Sequence, residues 1–361
     1  SNMILEARQA LYIQRLRYGA EQITPERVLG WATRGSARLL GRYDVGELAV
    51  GKQADLALFN AKLNARGGYC FFDAAMTREL ANRREIEAEL RLAIKRDELS
   101  LFFQPIIDLK TGRIRCFEAL LRWYHPQRGV VRPDEFLGVA EETGLIVPIG
   151  EWVIGQALRE TATWDGDFRI AINLSPTQVR SPHLADVVAQ AIHAHGIAPH
   201  RVEFEITEHV LMQKGSVCGA NLEKLRELGT KIALDDFGIG YSSLSYLRRF
   251  PFDRIKIDKD FVEDIERSAD NQAIVSSITR LADALGMAAT AEGVETRAQL
   301  DLLRKLGCQE AQGYLICEPV PGENFATPDA VEAAMHGEAS GILDYRKARE
   351  AVLRRRGREA G

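Results

Sequence analysis

The sequence contains few cysteines, and they follow no recognisable pattern. Its 361 residues include five cysteines, an odd number spread from Cys70 to Cys317 without a Cys-x-x-Cys pair. This spacing argues against a disulfide framework and against a thiolate zinc site, and it is typical of proteins from a reducing compartment. We therefore expect a cytoplasmic protein.

Long apolar runs and an excess of basic charge are also absent from the sequence. No run of about 18 apolar residues occurs, so no membrane span is expected, and the charged start does not resemble a signal peptide. The 47 Lys and Arg residues and 51 Asp and Glu residues give a formal net charge of −4. Duplex nucleic acid is not expected as a partner, because there is no basic excess to attract its phosphates. The composition is otherwise that of a globular protein.

Residues 1–75 form a predicted N-terminal segment of small helical and β elements. Apolar residues at helical spacing predict a helix over residues 4–23, and Thr24-Pro25-Glu26 provides a capped start for a second helix. Residues 46–59 resemble the C-terminal end of amidohydrolases, although residues 1–59 contain none of the histidines that hold the metals of those enzymes. A deaminase-type activity is therefore excluded for this segment.

Residues 60–73 resemble a different family, the closing hairpin of a diguanylate cyclase (GGDEF) domain. The chain lacks the Gly-Gly-Asp/Glu-Glu-Phe signature, so cyclase activity is excluded. Two interpretations of the N-terminal segment stay open. It is either a pair of family remnants joined at residues 54–58 or one small helical cap.

Residues 76–97 are predicted to form a linking helix, and residues 331–361 a helical tail. Met76, Leu80, Ile86 and Leu90 recur at helical spacing among many Arg and Glu residues. The heptads are not sustained, which favours a packed or linking helix over a coiled-coil seam, although both remain possible. The tail contains three consecutive arginines, which are more typical of a solvated helix end than of a nucleic-acid patch.

Between residues 98 and 330, short apolar runs alternate with helical patterns. Eight runs are predicted strands: Leu99–Ile107, Ile114–Trp123, Phe168–Leu174, Val202–Thr207, Lys231–Leu234, Arg254–Ile257, Ala288–Ala291 and Glu310–Leu315. Most are far enough apart for a helix to lie between them. The pattern predicts an α/β protein with a (β/α)8 barrel of about 250 residues. In that fold the functional groups lie at the C-terminal ends of the strands.

Polar side chains interrupt or end most of these apolar runs. They are Glu118, Asn173, Glu205, Asp235, Asp236, Lys256, Glu292 and Gln312. Charges in buried strands are costly unless they are paired or bound to metal, so these groups predict one shared site at the barrel mouth. Carboxylate and amide oxygens without His or Cys suit Mg²⁺ or Mn²⁺. Five carboxylates are too many for one such ion, so we expect two ions about 4 Å apart and the hydrolysis of a phosphodiester.

Residues 118–123, Glu-Ala-Leu-Leu-Arg-Trp, match the signature of the EAL family of cyclic di-GMP phosphodiesterases. The match continues through the motifs Gln104-Pro105, Asn173-Leu174-Ser175, Glu205-Ile206-Thr207-Glu208, 235–244, Ile255-Lys256-Ile257-Asp258, 291–295 and 312–315. It covers about residues 84–330, and the sequence is identified as a member of this family. The resemblance implies a TIM-like barrel whose first strand is antiparallel. It also implies a homodimer that cleaves cyclic di-GMP to 5′-pGpG in bacterial signalling.

The resemblance implies a role for each matching residue. The first metal would be bound by Glu118, Asn173, Glu205 and Asp235, and the second by Asp235, Asp236 and Glu292. Lys256 would orient the attacking water or help to deprotonate it. The residues with a catalytic role would be Glu118, Lys256, Glu292 and Asp236. Substrate would be bound by Gln104, Leu121, Arg122, Asp258 and Gln312. A loop controlling activity would depend on Glu208, Gly238, Gly240 and Ser242.

The chain departs from the family pattern at two places. Ile239 replaces a more common Thr. Cys317-Glu318-Pro319 replaces the usual family sequence of a small residue, a basic residue and Pro. Loss of the basic residue is expected to weaken substrate binding. Ca²⁺ is expected to bind without supporting turnover, because its coordination is larger and looser than that of Mg²⁺.

Some alternatives remain open at this point. The alternative function is that of a catalytically silent cyclic di-GMP receptor or interaction module, although such receptors usually lack metal ligands and none is missing here. Glu203, Asp253 and Glu295 are candidates for exposed or salt-bridged scaffold groups. His193 and His195 resemble a metal-binding pair but are expected to be solvated at a helix end.

Overall fold

The computed structural model describes residues 74–164, 166–212, 216–238, 247 and 250–322. The predicted helices before residue 74 and the predicted C-terminal tail lie outside these residues, as does Cys70. The chain divides into two structural units between Ile86 and Glu87, within the first described helix. The predicted boundaries of the N-terminal segment, linker and tail stay predictions.

Ten strands and ten α-helices are described. The strands are β1 Leu99–Asp108, β2 Ile114–His125, β3 Gly129–Val131, β4 Arg169–Asn173, β5 Val202–Thr207, β6 Lys231–Phe237, β7 Arg254–Ile257, β8 Ala288–Ala291, β9 Glu310–Ala311 and β10 Val320–Pro321. The helices are α1 Ala74–Ala93, α2 Pro133–Thr143, α3 Ile146–Thr161, α4 Pro176–Val179, α5 Leu184–His195, α6 Glu208–Met212, α7 Ser216–Glu227, α8 Asp260–Glu263, α9 Ala269–Ala284 and α10 Arg297–Lys305.

Eight of the strands close into a barrel. Around it the order is β1, β2, β4, β5, β6, β7, β8 and β9, with β9 pairing back to β1. β1 runs antiparallel to both of its neighbours, and the other neighbouring pairs in the barrel are parallel. This confirms the predicted TIM-like barrel with an antiparallel first strand.

The direction of β1 follows from the short turn that joins it to β2. The carboxylate of Asp108 accepts the backbone N–H groups of Lys110 and Thr111 at 3.0 and 2.7 Å, which fixes a tight turn. Two strands joined by so short a connection must run antiparallel, whereas parallel neighbours need a longer crossover such as a helix. Helices lie in the connections from β2 to β4, β4 to β5, β5 to β6, β7 to β8 and β8 to β9.

The last predicted strand is shorter than expected, and two short strands were not predicted. The run Glu310–Leu315 forms a strand only over Glu310–Ala311. The chain then turns, because the N–H groups of Ile316 and Cys317 bond to the carbonyl oxygen of Gly313. β3 extends β2 as a hairpin, and β10 pairs with β1 beside the barrel.

The predicted linking helix occurs as α1, and its C-terminal part is packed. Leu90 and Ala93 are fully buried. The carboxylate of Glu89 lies 3.0 Å from Nε2 of His125, at the end of β2. For the residues from Glu87 onward, this packing supports the packed-helix interpretation.

Three further features of the described residues bear on the sequence analysis. Cys116, Cys218, Cys308 and Cys317 are free thiols, and burial raises the pKa of Cys116 and Cys308 to about 12. His193 lies exposed in the last turn of α5, and no cluster of potential metal ligands in the described chain includes it or His195. Within the same residues, no helix combines the length and apolarity needed to cross a bilayer.

The barrel interior contains a closed ring of four ion pairs. Arg169 contacts Glu203 at 3.2 Å and Glu310 at 3.0 Å, and Arg254 contacts the same two carboxylates at 3.2 and 3.0 Å. Glu203 and Arg254 are completely buried. Burial lowers the pKa of Arg254, but the adjacent carboxylates outweigh this effect and raise it above its usual value. Glu203 is therefore a salt-bridged scaffold residue.

Asp253 has the same scaffold character as Glu203. Its carboxylate lies 3.3 Å from Arg226 and 3.6 Å from Lys231, and it accepts the backbone N–H of Ile232. These contacts join the start of β7 to β6 at the end of the barrel opposite the mouth. Asp253 thus supports the closure of the sheet and takes no part in the mouth.

We expect Arg254→Met to destabilise the fold strongly. Removing one cation leaves the buried carboxylates of Glu203 and Glu310 with only half of their positive partners, a change that costs about 3–5 kcal/mol. Urea denaturation followed by circular dichroism measures the loss. The control is Arg113→Met, at an exposed arginine. A loss below about 1 kcal/mol for Arg254→Met, typical of a surface site, would show that the ring contributes little.

Candidate active site

A cavity of about 350 Å³ opens at the barrel end where the parallel strands finish. Its lining residues are Gln104, Glu118, Asn173, Asp235, Lys256, Lys259, Glu292, Gly293, Glu295, Gln312, Gly313 and Tyr314. Seven of the twelve are residues that the sequence predicts at the site. Glu205, another predicted ligand, is completely buried and contacts Lys256. The predicted convergence of polar groups at the mouth is therefore observed.

The ammonium group of Lys256 lies at the centre of the site. Its Nζ is 2.6 Å from Glu292, 2.7 Å from Glu205, 3.3 Å from Asp235 and 3.4 Å from Glu118. Burial lowers the pKa of Lys256, but the carboxylates outweigh it and hold this pKa well above its usual value. The side chain is therefore a charged donor.

A chain of amides holds the carboxylate of Glu118. Asn173 Nδ2 donates to one oxygen at 2.7 Å, and Gln312 Nε2 donates to the other at 2.6 Å. Gln312 Nε2 also lies 2.8 Å from Oε1 of Gln104, whose own Nε2 donates to the carbonyl oxygen of Cys317. Burial raises the pKa of Glu118, but Lys256 and the amide donors lower it below its usual value. Glu118 is thus a fixed anion.

The backbone of β6 brings two consecutive aspartates to the same side. Neighbouring residues of a regular strand point to opposite faces. Here the register with β7 shifts between Leu234 and Phe237, and Asp236 has a φ of 53°, a left-handed conformation that Asp tolerates better than most residues. One oxygen each of Asp235, Asp236 and Glu292 consequently lie within 4.8 Å of one another.

The donor set fits a hard divalent cation. Oε1 of Glu205 is buried without a hydrogen-bond partner, and burial raises the pKa of this carboxyl group well above its usual value. Burial and the neighbouring Asp235 and Asp258 likewise raise the pKa of Asp236 to about 6. Unsatisfied, crowded carboxylates are costly without a counter-charge. Mg²⁺ and Mn²⁺ prefer this kind of oxygen set.

The predicted substrate-binding residues on β2 lie on different faces of that strand. Arg122 has the same phase as Glu118; its guanidinium lies 5.5 Å from the centre of the Phe102 ring and donates to the carbonyl oxygen of Leu121. Leu121 has the opposite phase and pairs with Leu101. Its side chain therefore points away from the barrel interior. A role for that side chain in substrate binding is not supported.

The described part of the predicted control loop is tied to α6. The carboxylate of Glu208 accepts the backbone N–H of Gly238 at 3.1 Å, as a bracing role requires. Asp258 is buried beside Asp236, and its Oδ1 accepts the N–H of Asp260. Gly240 and Ser242 lie outside the described residues.

The sequence analysis did not assign Lys259, Gly293 or Tyr314 to the site. Tyr314 lies two residues after the predicted Gln312 and is 63% exposed at the cavity rim. Glu295 also lines the cavity and is exposed, which is the first of the two alternatives left open for it. Lys259 and Gly293 are next to the predicted site residues Asp258 and Glu292 in the sequence, which was the only indication that they belong to the site. Adjacency in sequence does not show which side chains face a cavity.

Family models match two parts of the chain. The EAL domain model matches residues 87–319, and the amidohydrolase family model matches residues 1–88. The second match confirms the N-terminal resemblance to amidohydrolases. The resemblance of residues 60–73 to a diguanylate cyclase end stays a prediction.

Curated relatives carry names from cyclic di-GMP metabolism. The chain is 42% identical over 276 residues to the bifunctional diguanylate cyclase/cyclic di-GMP phosphodiesterase MucR of Pseudomonas aeruginosa, covering 75% of this chain and 40% of that relative. It is 36% identical over 280 residues to the cyclic di-GMP phosphodiesterase PdeR of Escherichia coli, covering 77% of this chain and 42% of the relative. The chain thus spans about two-fifths of the length of these relatives.

Solved structures match the barrel. The phosphodiesterase PaMucR in complex with cyclic di-GMP is 42% identical, with a TM-score of 0.64, and the match covers 66% of this chain and 99% of that one. A manganese and cyclic di-GMP complex of BlrP1 from Klebsiella pneumoniae is 33% identical, with a TM-score of 0.56, and covers 62% of this chain and 56% of that one. From the extent of the family match and these similarities, the chain belongs to the EAL domain family.

Proposed function

We propose that this chain hydrolyses cyclic di-GMP to linear 5′-pGpG and acts in bacterial second-messenger signalling. The observation that carries the proposal is the cluster of acids around Lys256 at the mouth of an EAL barrel. The names of the relatives MucR and PdeR support the substrate. Water adds to one phosphorus, the P–O3′ bond breaks, and O3′ leaves with a proton, so the product has a 5′-phosphate.

The site would hold two divalent ions, Mg²⁺ or Mn²⁺. Glu118, Asn173, Glu205 and Asp235 would hold the first ion, and Asp235, Asp236 and Glu292 the second. Such ions, when bound, neutralise phosphate charge and lower the pKa of water. The manganese and calcium complexes of BlrP1 support divalent metal binding in this family.

The residues of the chain contribute position and proton handling. Asn173 and Gln312 fix the carboxylate of Glu118, so this ligand needs no reordering when the site forms. Lys256 offsets the charge of the acids around it and orients water through its N–H groups. Asp236 and Glu292 have pKa values raised to about 6 and about 8, mainly by burial, so each can take up a proton near neutral pH.

Substrate binding would extend from the metals to the rim. The guanidinium of Arg122 has planar donors that suit a phosphate or a guanine edge. Gln104, Gln312 and Asp258 would border the bound dinucleotide. We also propose that the barrel forms a homodimer and that the loop after Gly238, braced by Glu208, links the dimer to the site.

Glu118→Ala is expected to abolish hydrolysis. The substitution removes the carboxylate that two amides and Lys256 hold in place, and loss of such a preorganised group costs about a hundredfold or more in rate. Chromatographic detection of pGpG formed in Mg²⁺ or Mn²⁺ measures the effect, with an EDTA control. Glu141→Gln, at an exposed glutamate of α2, is the matched control and should retain full activity. Full activity of Glu118→Ala would refute the site, and wild-type binding of cyclic di-GMP without turnover would instead support a receptor.

Mn²⁺ affinity is expected to rise with pH. Below the raised pKa values of Asp236 and Glu292, about 6 and about 8, these groups hold protons in the metal-free protein. A bound cation must displace those protons, so affinity falls as the pH drops from about 8 to about 5. Calorimetry in buffers of different ionisation enthalpy measures the protons released. Asp236→Asn should release fewer protons near pH 6, and an affinity that does not vary with pH would contradict the expectation.

Ca²⁺ is expected to support binding of cyclic di-GMP without turnover. Its coordination is larger and more flexible than that of Mg²⁺, so it satisfies the carboxylates but holds the reacting groups less accurately. A binding titration in Ca²⁺ and a product assay of the same sample test this expectation. Adding Mn²⁺ to that sample should start turnover. Full turnover in Ca²⁺ alone would contradict the proposed geometry.

A further inference from the structure

The cavity has an uneven distribution of charge. Four carboxylates line it, those of Glu118, Asp235, Glu292 and Glu295, together with two ammonium groups. Lys256 contacts four acids and is 1% exposed, so its charge is already compensated within the protein. The other ammonium group belongs to Lys259, which is exposed. Among the described residues, no carboxylate lies within 4.0 Å of the ammonium nitrogen of Lys259.

Backbone contacts direct Lys259 to the cavity wall. β7 ends at Ile257, and the carboxylate of Asp258 accepts the N–H of Asp260, which turns the chain into α8 directly after the strand. Lys259 occupies the cap position before that helix, with a φ of −55°. The lysine side chain therefore leaves the backbone at the C-terminal rim of the barrel, two residues beyond the last residue of the strand that carries Lys256.

Gly293, two residues after the end of β8, packs against the aliphatic part of the Lys259 side chain. A Cβ atom at Gly293 would lie 2.6 Å from Cβ of Lys259, and Gly293 has a φ of +66°, which few other residues adopt readily. The absence of a side chain at Gly293 thus lets Lys259 pack closely against the segment that carries Glu292. This contact places the base of the lysine side chain beside the predicted metal ligands.

A cyclic dinucleotide needs a cation at a second position. Its two phosphodiester groups each carry a negative charge, and hydrolysis to a linear dinucleotide uses only one of them. The divalent ions would neutralise the phosphate that is cut. The other phosphate would enter a mouth lined mainly by carboxylates, where an uncompensated anion is repelled.

We propose that Lys259 binds the second, uncut phosphate of cyclic di-GMP. The assignment rests on the proposed function and adds a residue that selects a substrate with two phosphates. An ammonium group suits this task because it acts as a compact, flexible point charge.

The first test compares Lys259→Gln with Lys259→Arg in steady-state hydrolysis of cyclic di-GMP. The Gln variant loses a partly exposed, charge-assisted hydrogen bond to the substrate. We therefore expect its KM to rise about tenfold, with a much smaller change in kcat. The Arg variant should restore KM to within about twofold of the wild type, because it keeps the charge. Lys110→Gln, at an exposed lysine in the β1–β2 turn at the opposite end of the barrel, is the matched control.

The second test identifies the phosphate that Lys259 binds. An analogue with one phosphodiester replaced by a neutral methylphosphonate can be cut only at the remaining diester, so its neutral group must occupy the position of the uncut phosphate. Wild-type protein should bind this analogue in Ca²⁺ about tenfold more weakly than cyclic di-GMP, as expected for loss of one charged partner. The Lys259→Gln variant should bind the two ligands about equally.

The outcomes separate the two proposals. Unchanged KM in Lys259→Gln, a loss confined to kcat, or equal discrimination by wild type and variant would each overturn the role of Lys259 while leaving hydrolysis intact. Absence of both turnover and binding in the wild-type protein would instead overturn the proposed function. Thermal melting of each variant checks that the exposed substitution leaves the fold unchanged.

Discussion

The site depends on one buried positive charge. Lys256 is almost fully enclosed, and an isolated ammonium group could not remain charged there, so the surrounding strands must supply anions. They do so from β2, β5, β6 and the end of β8, which is why four carboxylates meet at one point. The acids in turn need Lys256, because without its positive charge they would repel one another. Their remaining negative charge is what makes the mouth suited to divalent cations.

A second set of charged side chains lies deeper in the barrel than the mouth, two residues earlier in the chain. Glu203, Arg254 and Glu310 each precede a residue of the mouth by two positions in the chain. Glu205 and Lys256 lie on the same strand as their partner, and Gln312 follows the end of β9 directly. Residues two apart on a strand share one face. The ring of ion pairs therefore helps to fix the positions of the functional side chains along the barrel axis. An apolar interior could slide by small amounts, whereas the four ion pairs form only at one relative position of the strands. The ring thereby contributes to the preorganisation of the mouth.

The mouth combines rigid and adjustable parts. Glu118 is fixed by amide donors, and Asp235 and Asp236 converge because the backbone of β6 is irregular. Lys259 and Tyr314 line the cavity as exposed side chains, which can adapt to a ligand. This division suits a reaction in which the phosphate to be cut needs accurate placement and the rest of a large dinucleotide needs attraction and contact.

Much of this architecture was readable from the sequence, for a physical reason. Buried parallel strands are continuous apolar runs, so the polar residues that interrupt them, such as Glu118, Glu205 and Lys256, stand out, and their residue types indicate an oxygen-ligand metal site. Sequence alone could not show the convergence of Asp235 and Asp236, the outward direction of Leu121, the early end of β9, or the contact between Gly293 and Lys259. Each of these depends on a backbone irregularity, a strand register or a contact between distant segments. The order of the residues determined the chemistry that is available, and only the closed barrel decided which groups meet.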